Sequence, residues 1–185
     1  MESLFGPYTA LDDSGSSCTF VVRTYQPSDG AAVRDLFYRG MLTGQIDPLE
    51  STDDLDDIPG HYLRTDGNHF YVAEADGVIG TVALVLDSQG VAHLRRIRVN
   101  PVWQQSNVAY YLIKTAITHA SDFGALKIVL HAPVNESRAT EMLSHLGFTY
   151  SKSQTVHGRQ LQEFYLNLYY QPHQNKIGDV HWRLV

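Results

Sequence analysis

The sequence is poor in the features that mark secreted, membrane and nucleic-acid-binding proteins. Its 185 residues contain one cysteine, Cys18, which excludes an internal disulfide and fits a reducing cytoplasm. There is no run of 18 apolar residues, and the first 17 residues lack a basic region followed by a hydrophobic stretch. The net charge of −6 argues against a nucleic-acid partner. We therefore expect a cytoplasmic protein without membrane span, secretory signal or nucleic-acid surface.

Residue patterns for metal binding and for nucleophilic catalysis are also missing. No two of the nine histidines stand four residues apart, so no metal site is predicted. No serine–histidine–aspartate or cysteine–histidine arrangement is recognisable. The apolar content of 43% is ordinary, however, and 185 residues are enough to bury one compact core.

Apolar periodicity and turn residues divide the chain into alternating strands and helices. A loose polar arm is expected over residues 1–17, the folded domain over 18–170, and a tail of unclear structure over 171–185. Strands are predicted at 19–25, 70–75, 78–86, 92–99, 126–131, 148–151 and 161–168. Helices are predicted after residue 29, around 55–63, over 106–123, and after Asn135. The long third helix, with a strand on either side, predicts a parallel crossover within a mixed sheet.

The segment from residue 91 to residue 109 is the most informative part of the chain. A β-branched strand ends at an Asn-Pro turn, and a short polar loop then leads into the long helix. The first backbone N–H groups of a helix attract an anion, and a pyrophosphate suits them well. Glycines that would let the backbone approach a phosphate closely are partly missing, but Asn107 tolerates left-handed geometry. The alternative is a plain Asn-capped helix after a turn.

Four segments in this order resemble the GCN5-related N-acetyltransferases, the GNAT superfamily. The first segment, VVRTYQPSDGAAVRDLF, is similar to the family's first strand and helix, and the second, FYVAEADGVIGTVALVL, is similar to its central hairpin. The third, QQSNVA, is similar to the family's Q/R-x-x-G-x-G/A loop. The fourth, Asn135 followed by Leu146-Gly147-Phe148, is similar to its late motif. The resemblance covers residues 19–169. It implies an α/β (α+β) fold of a single GNAT-like domain. The sheet would be mixed and mostly antiparallel, with a central parallel pair splayed at the fourth strand and helices on both faces.

The resemblance implies that acetyl-CoA lies with its pyrophosphate on the amides of the loop, where φ at Asn107 is expected to be positive. Leu94 and Ile97 differ in parity on the fourth strand, which is compatible with a β-bulge between them. The main chain beyond the bulge would pair with the pantetheine arm, and an N–H near Val99 would polarise the thioester carbonyl. A strand buried on both faces is the alternative. The expected cofactor-binding residues are Ile97, Arg98, Val99, Gln104, Gln105, Ser106, Asn107, Val108, Ala109 and Asn135, with no metal.

Acid–base residues are harder to assign. His93 stands where the histone-acetylating branch has a carboxylate, so it is a candidate general base, with a structural role as the alternative. Glu74 is the second candidate. Leu143 occupies the position where relatives often have a proton-donating tyrosine. Three other groups near the site are Tyr110 and Tyr111, which would face either the core or the cofactor, and His145, which points roughly away.

These residues predict an acyltransferase that moves an acetyl group from acetyl-CoA to a primary amine of a small molecule or protein by direct attack. The acidic run 53–57 falls where the family's first two helices border the acceptor groove. It would attract a cationic acceptor, such as a polyamine, or be a solvated loop. Two alternatives remain. One is a non-catalytic acetyl-CoA-binding or regulatory module, and the other is an interaction domain whose tail, residues 177–184, pairs with a second chain in a homodimer.

Overall fold

A computed structural model describes residues 4–11, 14–39, 51–133, 137–156 and 159–169. Within them, eight strands form one sheet in the order β1-β2-β3-β4-β5-β6-β8-β7. The strands are β1 Leu4–Leu11, β2 Ser17–Thr24, β3 His69–Ala75, β4 Gly77–Leu86, β5 Val91–Val99, β6 Lys127–Pro133, β7 Thr149–Val156 and β8 Arg159–Asn167. The helices are α1 Gly30–Arg39, α2 Asp53–Asp56, α3 Val108–Asp122 and α4 Ser137–His145, with short helical turns at Pro27–Asp29, Pro59–Leu63 and Pro101–Trp103.

The sheet is antiparallel except where β5 pairs with β6. These two strands run parallel and are joined through α3, because a parallel connection must cross over the sheet. β3 and β4 form the hairpin predicted around Asp76. The mixed sheet with one central parallel pair is therefore confirmed.

Two apolar cores lie on opposite faces of the sheet, which confirms helices on both sides. On one face, α3 buries side chains that recur every three to four residues, Val108, Leu112, Ala116 and Ala120. On the other face, α1 buries Val33, Leu36 and Phe37. The helix period read from the sequence thus gives the correct buried faces. α3 ends before Gly124, whose φ of 76° favours glycine.

The start of the chain is not only a loose arm. β1, inside residues 1–17, pairs antiparallel with β2. Tyr8 of β1 stacks on Tyr111 of α3 with ring centroids 3.8 Å apart, so the strand is fixed by packing against a helix that lies about 100 residues further along the chain.

Other predicted features lie outside the described residues, namely Asn135 and the tail 171–185. The domain limits 18–170 remain a prediction. No described helix is both long enough and apolar enough to cross a membrane.

Candidate active site between the splayed strands

β5 and β6 separate part of the way along their length. They pair at three positions, from Val91 with Lys127 to His93 with Val129. β5 then continues to Val99 without further pairing to β6, while β6 pairs with β8 along its other edge. This leaves backbone N–H and C=O groups of β5 facing the gap, and such groups need hydrogen-bond partners. An extended ligand can add to such an edge like a strand.

A β-bulge at Arg96 marks the open part of β5. Arg95 pairs with Ala83 and Arg98 pairs with Thr81, so two residues of β5 stand opposite one residue of β4. Arg96 itself has φ of 53°, and its carbonyl accepts a hydrogen bond of 2.7 Å from the Thr81 hydroxyl. The predicted bulge is confirmed.

The bulge also explains the parity of the apolar residues on β5. Leu94 and Ile97 both pack against the core under α3, although an unbroken strand would point them to opposite faces. The bulge therefore keeps Leu94 and Ile97 on the same side of the sheet.

The loop before α3 is built differently from the expectation. Asn107 has φ of −89°, so the prediction of a positive φ is wrong. Its side-chain amide instead donates to the carbonyl of Thr9 on β1, at 3.0 Å. Ser106 supports the helix start, because its hydroxyl donates to Trp103 O at 2.6 Å and accepts from the Val108 amide at 3.2 Å. Asparagine thus replaces glycine here for its hydrogen bond to β1 and not for its backbone freedom.

The start of α3 suits an anion. Amides in the first turn of a helix have no carbonyl partner one turn earlier, and the helix dipole is positive there. Arg138 of α4 adds a guanidinium beside the loop, donating to the backbone and side-chain oxygens of Gln105. Guanidinium groups match phosphate geometry. Arg138 was not among the residues predicted from the sequence, because only the fold brings α4 to the loop.

α3 approaches the sheet closely at Gly80 of β4. A Cβ atom at this position would lie 2.8 Å from Leu112 Cδ1, 3.0 Å from Val108 Cγ1 and 3.1 Å from Arg98 O. A Cβ here would require the Leu112 and Val108 side chains of α3 and the Arg98 carbonyl of β5 to shift. Gly80 therefore sets the position of the loop and helix start relative to the open edge of β5.

His93 lies at the point where the two strands separate. Its side chain is 33% exposed, and its Nε2 is 3.0 Å from Asp87 Oδ2 in the turn before β5. The hydrogen bond from His93 is the main cause that lowers the pKa of Asp87. His93 is thus oriented by a carboxylate at the edge of the gap, which is compatible with a proton acceptor there.

Glu74 is committed to a structural ion pair. Both of its carboxylate oxygens accept from Arg23, at 2.7 and 2.9 Å, and Arg23 also binds Asp29 at 2.7 and 2.9 Å. The hydrogen bonds from Arg23 hold the pKa of Glu74 below its usual value. A carboxylate with occupied oxygens and a lowered pKa is a poor proton acceptor, so the arrangement argues against Glu74 as the base.

No proton donor is evident among the candidates in the described residues. Leu143 is 2% exposed in the core under α3. Tyr111 packs on Tyr8, and Tyr110 lies edge-on to Tyr111 with centroids 5.2 Å apart. His145 Nδ1 donates to Glu141 O at 2.8 Å on its own exposed helix. For Tyr111, the contacts therefore support a position in the core near β1 and not one facing the cofactor.

The acidic run is partly buried and partly exposed to solvent. Asp54 is 17% exposed and accepts two hydrogen bonds from Arg96, at 2.9 and 2.5 Å, and one from Tyr62. Burial alone would raise the pKa of Asp54, but these hydrogen bonds hold it below its usual value. Asp56 pairs with Arg34, and Asp57 accepts from the Gly60 amide. Asp54 thus belongs to an internal ion pair, while Asp53, Asp56 and Asp57 are exposed.

A second group of titratable residues lies near the other end of α3. His119 Nδ1 is 2.8 Å from the Tyr71 hydroxyl, and His69 Nε2 is 2.8 Å from the Thr24 hydroxyl. They line a cavity of about 370 Å³. Burial, together with the neighbouring His119, lowers the pKa of His69 to about 4. The His69 ring is therefore uncharged at neutral pH and makes its hydrogen bond to Thr24 in that form.

The described residues contain no group of three or more histidine, cysteine, aspartate or glutamate side chains that could hold a metal ion. The features assembled at the gap are instead an open strand edge, a histidine at its closed end, and a helix N-terminus with an arginine at its open end. They suit an extended ligand with an anionic group.

Several solved structures share this fold. A GNAT-family acetyltransferase from Staphylococcus aureus Mu50 is 18% identical, with a TM-score of 0.68 over 80% of this chain and 99% of that one. The protein yncA of Salmonella typhimurium, solved with acetyl-CoA, is 20% identical, with a TM-score of 0.67 over 84% and 96%. Spermidine N-acetyltransferase from Vibrio cholerae, solved with CoA and spermine, is 20% identical, with a TM-score of 0.64 over 80% and 95%.

Sequence comparison gives the family. A search among curated proteins finds no match. The model of the acetyltransferase (GNAT) family matches residues 32–148, more than half of the chain, and spans α1, the β3–β4 hairpin, the bulged β5 and the loop before α3. The chain therefore belongs to the acetyltransferase (GNAT) family.

Proposed function

We propose that the protein transfers an acetyl group from acetyl-CoA to a primary amine by direct attack. The observation that carries this proposal is the unpaired, bulged edge of β5 beside β6, which leads to the N-terminus of α3. The pantetheine arm pairs with the main chain of Ile97, Arg98 and Val99. Within residues 105–109 the pyrophosphate lies on the amides of Gln105, Asn107 and Ala109, because those of Ser106 and Val108 donate to Trp103 O and to the Ser106 hydroxyl; Gln104 and Asn135 are further contacts. The Salmonella and Vibrio neighbours, solved with acetyl-CoA and CoA, support acetyl-CoA as the ligand.

In the proposed reaction, the neutral amine attacks the thioester carbonyl and forms the new C–N bond. The N–H near Val99 stabilises the negative charge that develops on the carbonyl oxygen. The C–S bond then breaks and CoA leaves as a thiolate. His93 takes the proton from the attacking amine, since it stands where the strands separate. Water protonates the thiolate, because Leu143 cannot.

The reaction is tested by measuring free thiol from acetyl-CoA with a panel of primary amines, together with the thermal shift that acetyl-CoA causes. We expect both a shift and thiol release with at least one amine. A shift without thiol release from any amine would show a non-catalytic acetyl-CoA-binding module. No shift at all would refute both.

The placement of the pyrophosphate is tested with Asn107→Asp. This variant adds a negative charge at the loop and removes the hydrogen bond to Thr9 O. We expect weaker acetyl-CoA binding by calorimetry. Asn167→Asp is the matched control, because it adds the same charge at an exposed position at the end of β8. Equal affinities for the two variants would place the ligand elsewhere.

A further inference from the structure

We propose that the acceptor amine carries a carboxylate and that Arg95 binds this carboxylate. The inference rests on the proposed acetyl transfer and concerns the acceptor side of the same gap. It departs from the cationic acceptor that the acidic run predicts and that spermidine exemplifies in the Vibrio neighbour. The chemical class we infer is a short amino acid.

The bulge at Arg96 places two arginines on one face of β5. Residues three apart on a regular strand lie on opposite faces. With the extra residue, Arg95 and Arg98 stand opposite Ala83 and Thr81, which are alternate residues of β4 and so share a face. This is the face covered by α1, since Ala83 belongs to the core on that side and the Arg98 guanidinium lies 5.0 Å from the centre of the Phe37 ring.

Arg95 differs from the other arginines of this face. Arg96 pairs with Asp54, Arg34 with Asp56, and Arg39 with Asp35 on the same helix. Arg95 is exposed, and its side chain makes no hydrogen bond or ion pair within the part of the chain that the structure describes. It is also the first residue of this face beyond His93, where β5 leaves β6. An available guanidinium therefore stands directly at the gap.

The most buried carboxylate of the acidic run is already occupied. Asp54 accepts from Arg96 and Tyr62, so a cation that binds there has to displace them. Asp53, Asp56 and Asp57 are exposed, with Asp56 paired to Arg34 and Asp57 accepting from Gly60. A carboxylate at Arg95 displaces no partner within the described residues, and the planar fork of the guanidinium can bind both of its oxygens.

The spacing of the two groups suits a small molecule. His93 and Arg95 are two residues apart on one strand, which corresponds to about 7 Å along its axis. Because the Arg95 side chain is long and flexible, its guanidinium can reach the carboxylate of an α- or short ω-amino acid whose amine lies near His93. We infer that the carboxylate fixes the amine at the thioester.

The test compares amines of matched skeleton with and without a carboxylate, leucine against 3-methylbutylamine and β-alanine against ethylamine, with spermidine as the cationic comparator. Rates are expressed per neutral amine, because the carboxylate changes the basicity of the nitrogen. We expect kcat/KM for at least one amino acid to exceed that of its partner about tenfold or more. Preference for spermidine or for the amines without a carboxylate would overturn the proposal while leaving acetyl transfer intact.

Variants of Arg95 separate this contact from general effects of charge. Arg95→Gln should lower the preference for the carboxylate about tenfold, mainly through KM, and Arg95→Lys should restore part of it. Lys152→Gln on β7 removes one positive charge far from the gap and should leave the preference unchanged. An unchanged preference in Arg95→Gln, with an unchanged melting temperature, would refute the role of Arg95.

A binding measurement keeps the inference testable if no amine is acetylated. The CoA-loaded protein is titrated with leucine and with β-alanine by calorimetry. Binding by the wild-type protein that is lost in Arg95→Gln would support the acceptor site; in that case only the catalytic part of the proposed function would be refuted. Absence of binding by the wild-type protein would refute the acceptor site itself.

Discussion

Replacing Asp54 by asparagine removes one charge of the ion pair that joins α2 to the bulge of β5. The side chains of Arg96 and Asp54 are 11% and 17% exposed, so water screens the pair only partly. Loss of one partner from a fully buried pair costs about 3–5 kcal/mol. Asparagine keeps one oxygen that can accept from Arg96 or Tyr62, and the residual exposure lowers the cost further. We therefore expect the free energy of unfolding to fall by about 2–3 kcal/mol.

Urea unfolding near neutral pH measures this loss, and Asp56→Asn is its matched control on the same helix. The Arg34–Asp56 side chains are 49% and 70% exposed, so the control should lose at most about 1 kcal/mol. A double-mutant cycle with Arg96→Gln then isolates the coupling between Asp54 and Arg96. Equal losses in Asp54→Asn and Asp56→Asn would refute the claim that the Asp54 pair holds α2.

The pH dependence gives an independent check. The pKa of Asp54 is lower in the folded protein than in the unfolded chain, so the native state binds fewer protons. The stability from this group is therefore complete above the unfolded pKa of about 4 and is lost as the pH falls through the folded value. We expect the difference between wild type and Asp54→Asn to shrink below about pH 4. A difference that stays constant down to about pH 2 would contradict this origin.

Three further predictions concern other parts of the molecule. The pKa of His69 is lowered to about 4 in the folded protein. As the pH is lowered, the unfolded chain therefore binds a proton near pH 6.5 that the folded protein binds only near pH 4. The free energy of unfolding should thus decrease as the pH falls from about 6.5 to about 4. His69→Gln should flatten this slope in urea unfolding, and an unchanged slope would assign it to other groups. Gly80→Ala should lower the free energy of unfolding by about 1–3 kcal/mol and weaken acetyl-CoA binding by displacing the start of α3. An affinity equal to that of the wild type would show that Gly80 does not position the binding loop. Arg138→Gln should weaken acetyl-CoA binding about tenfold by calorimetry, with part of the loss restored in Arg138→Lys; equal affinity in all three proteins would exclude a phosphate contact.

Local patterns predicted the elements that frame the site. The spacing of Val108, Leu112, Ala116 and Ala120 gave the buried face of α3, because a helix period is visible within a few turns. The parity of Leu94 and Ile97 gave the bulge of β5, because a strand with both residues buried on one side cannot be regular. Such signals need only neighbouring residues, so one sequence suffices for them.

Contacts between distant parts of the chain were not predictable in this way. The Asn107 amide binds Thr9 O across 98 residues, and that contact replaces the positive φ expected from the family's glycine. Asp54 binds Arg96 across 42 residues, which turns an apparent cation site into an internal ion pair. In both cases the residue type suggested a local role, while the fold supplied a partner that the sequence order conceals.

Arg96 shows how one strained residue serves several parts of the site. Its left-handed conformation costs about 1 kcal/mol for a residue with a Cβ, and glycine would avoid this cost. Arginine is nevertheless present, since its guanidinium binds Asp54 and Ser51 O, contacts that glycine could not make. The same conformation inserts the bulge that shifts the parity of β5 after Arg95, which places Arg98 on the α1 face that Arg95 also occupies. The residue that joins α2 to the sheet is therefore also the one that brings a second arginine to the face on which we place the acceptor.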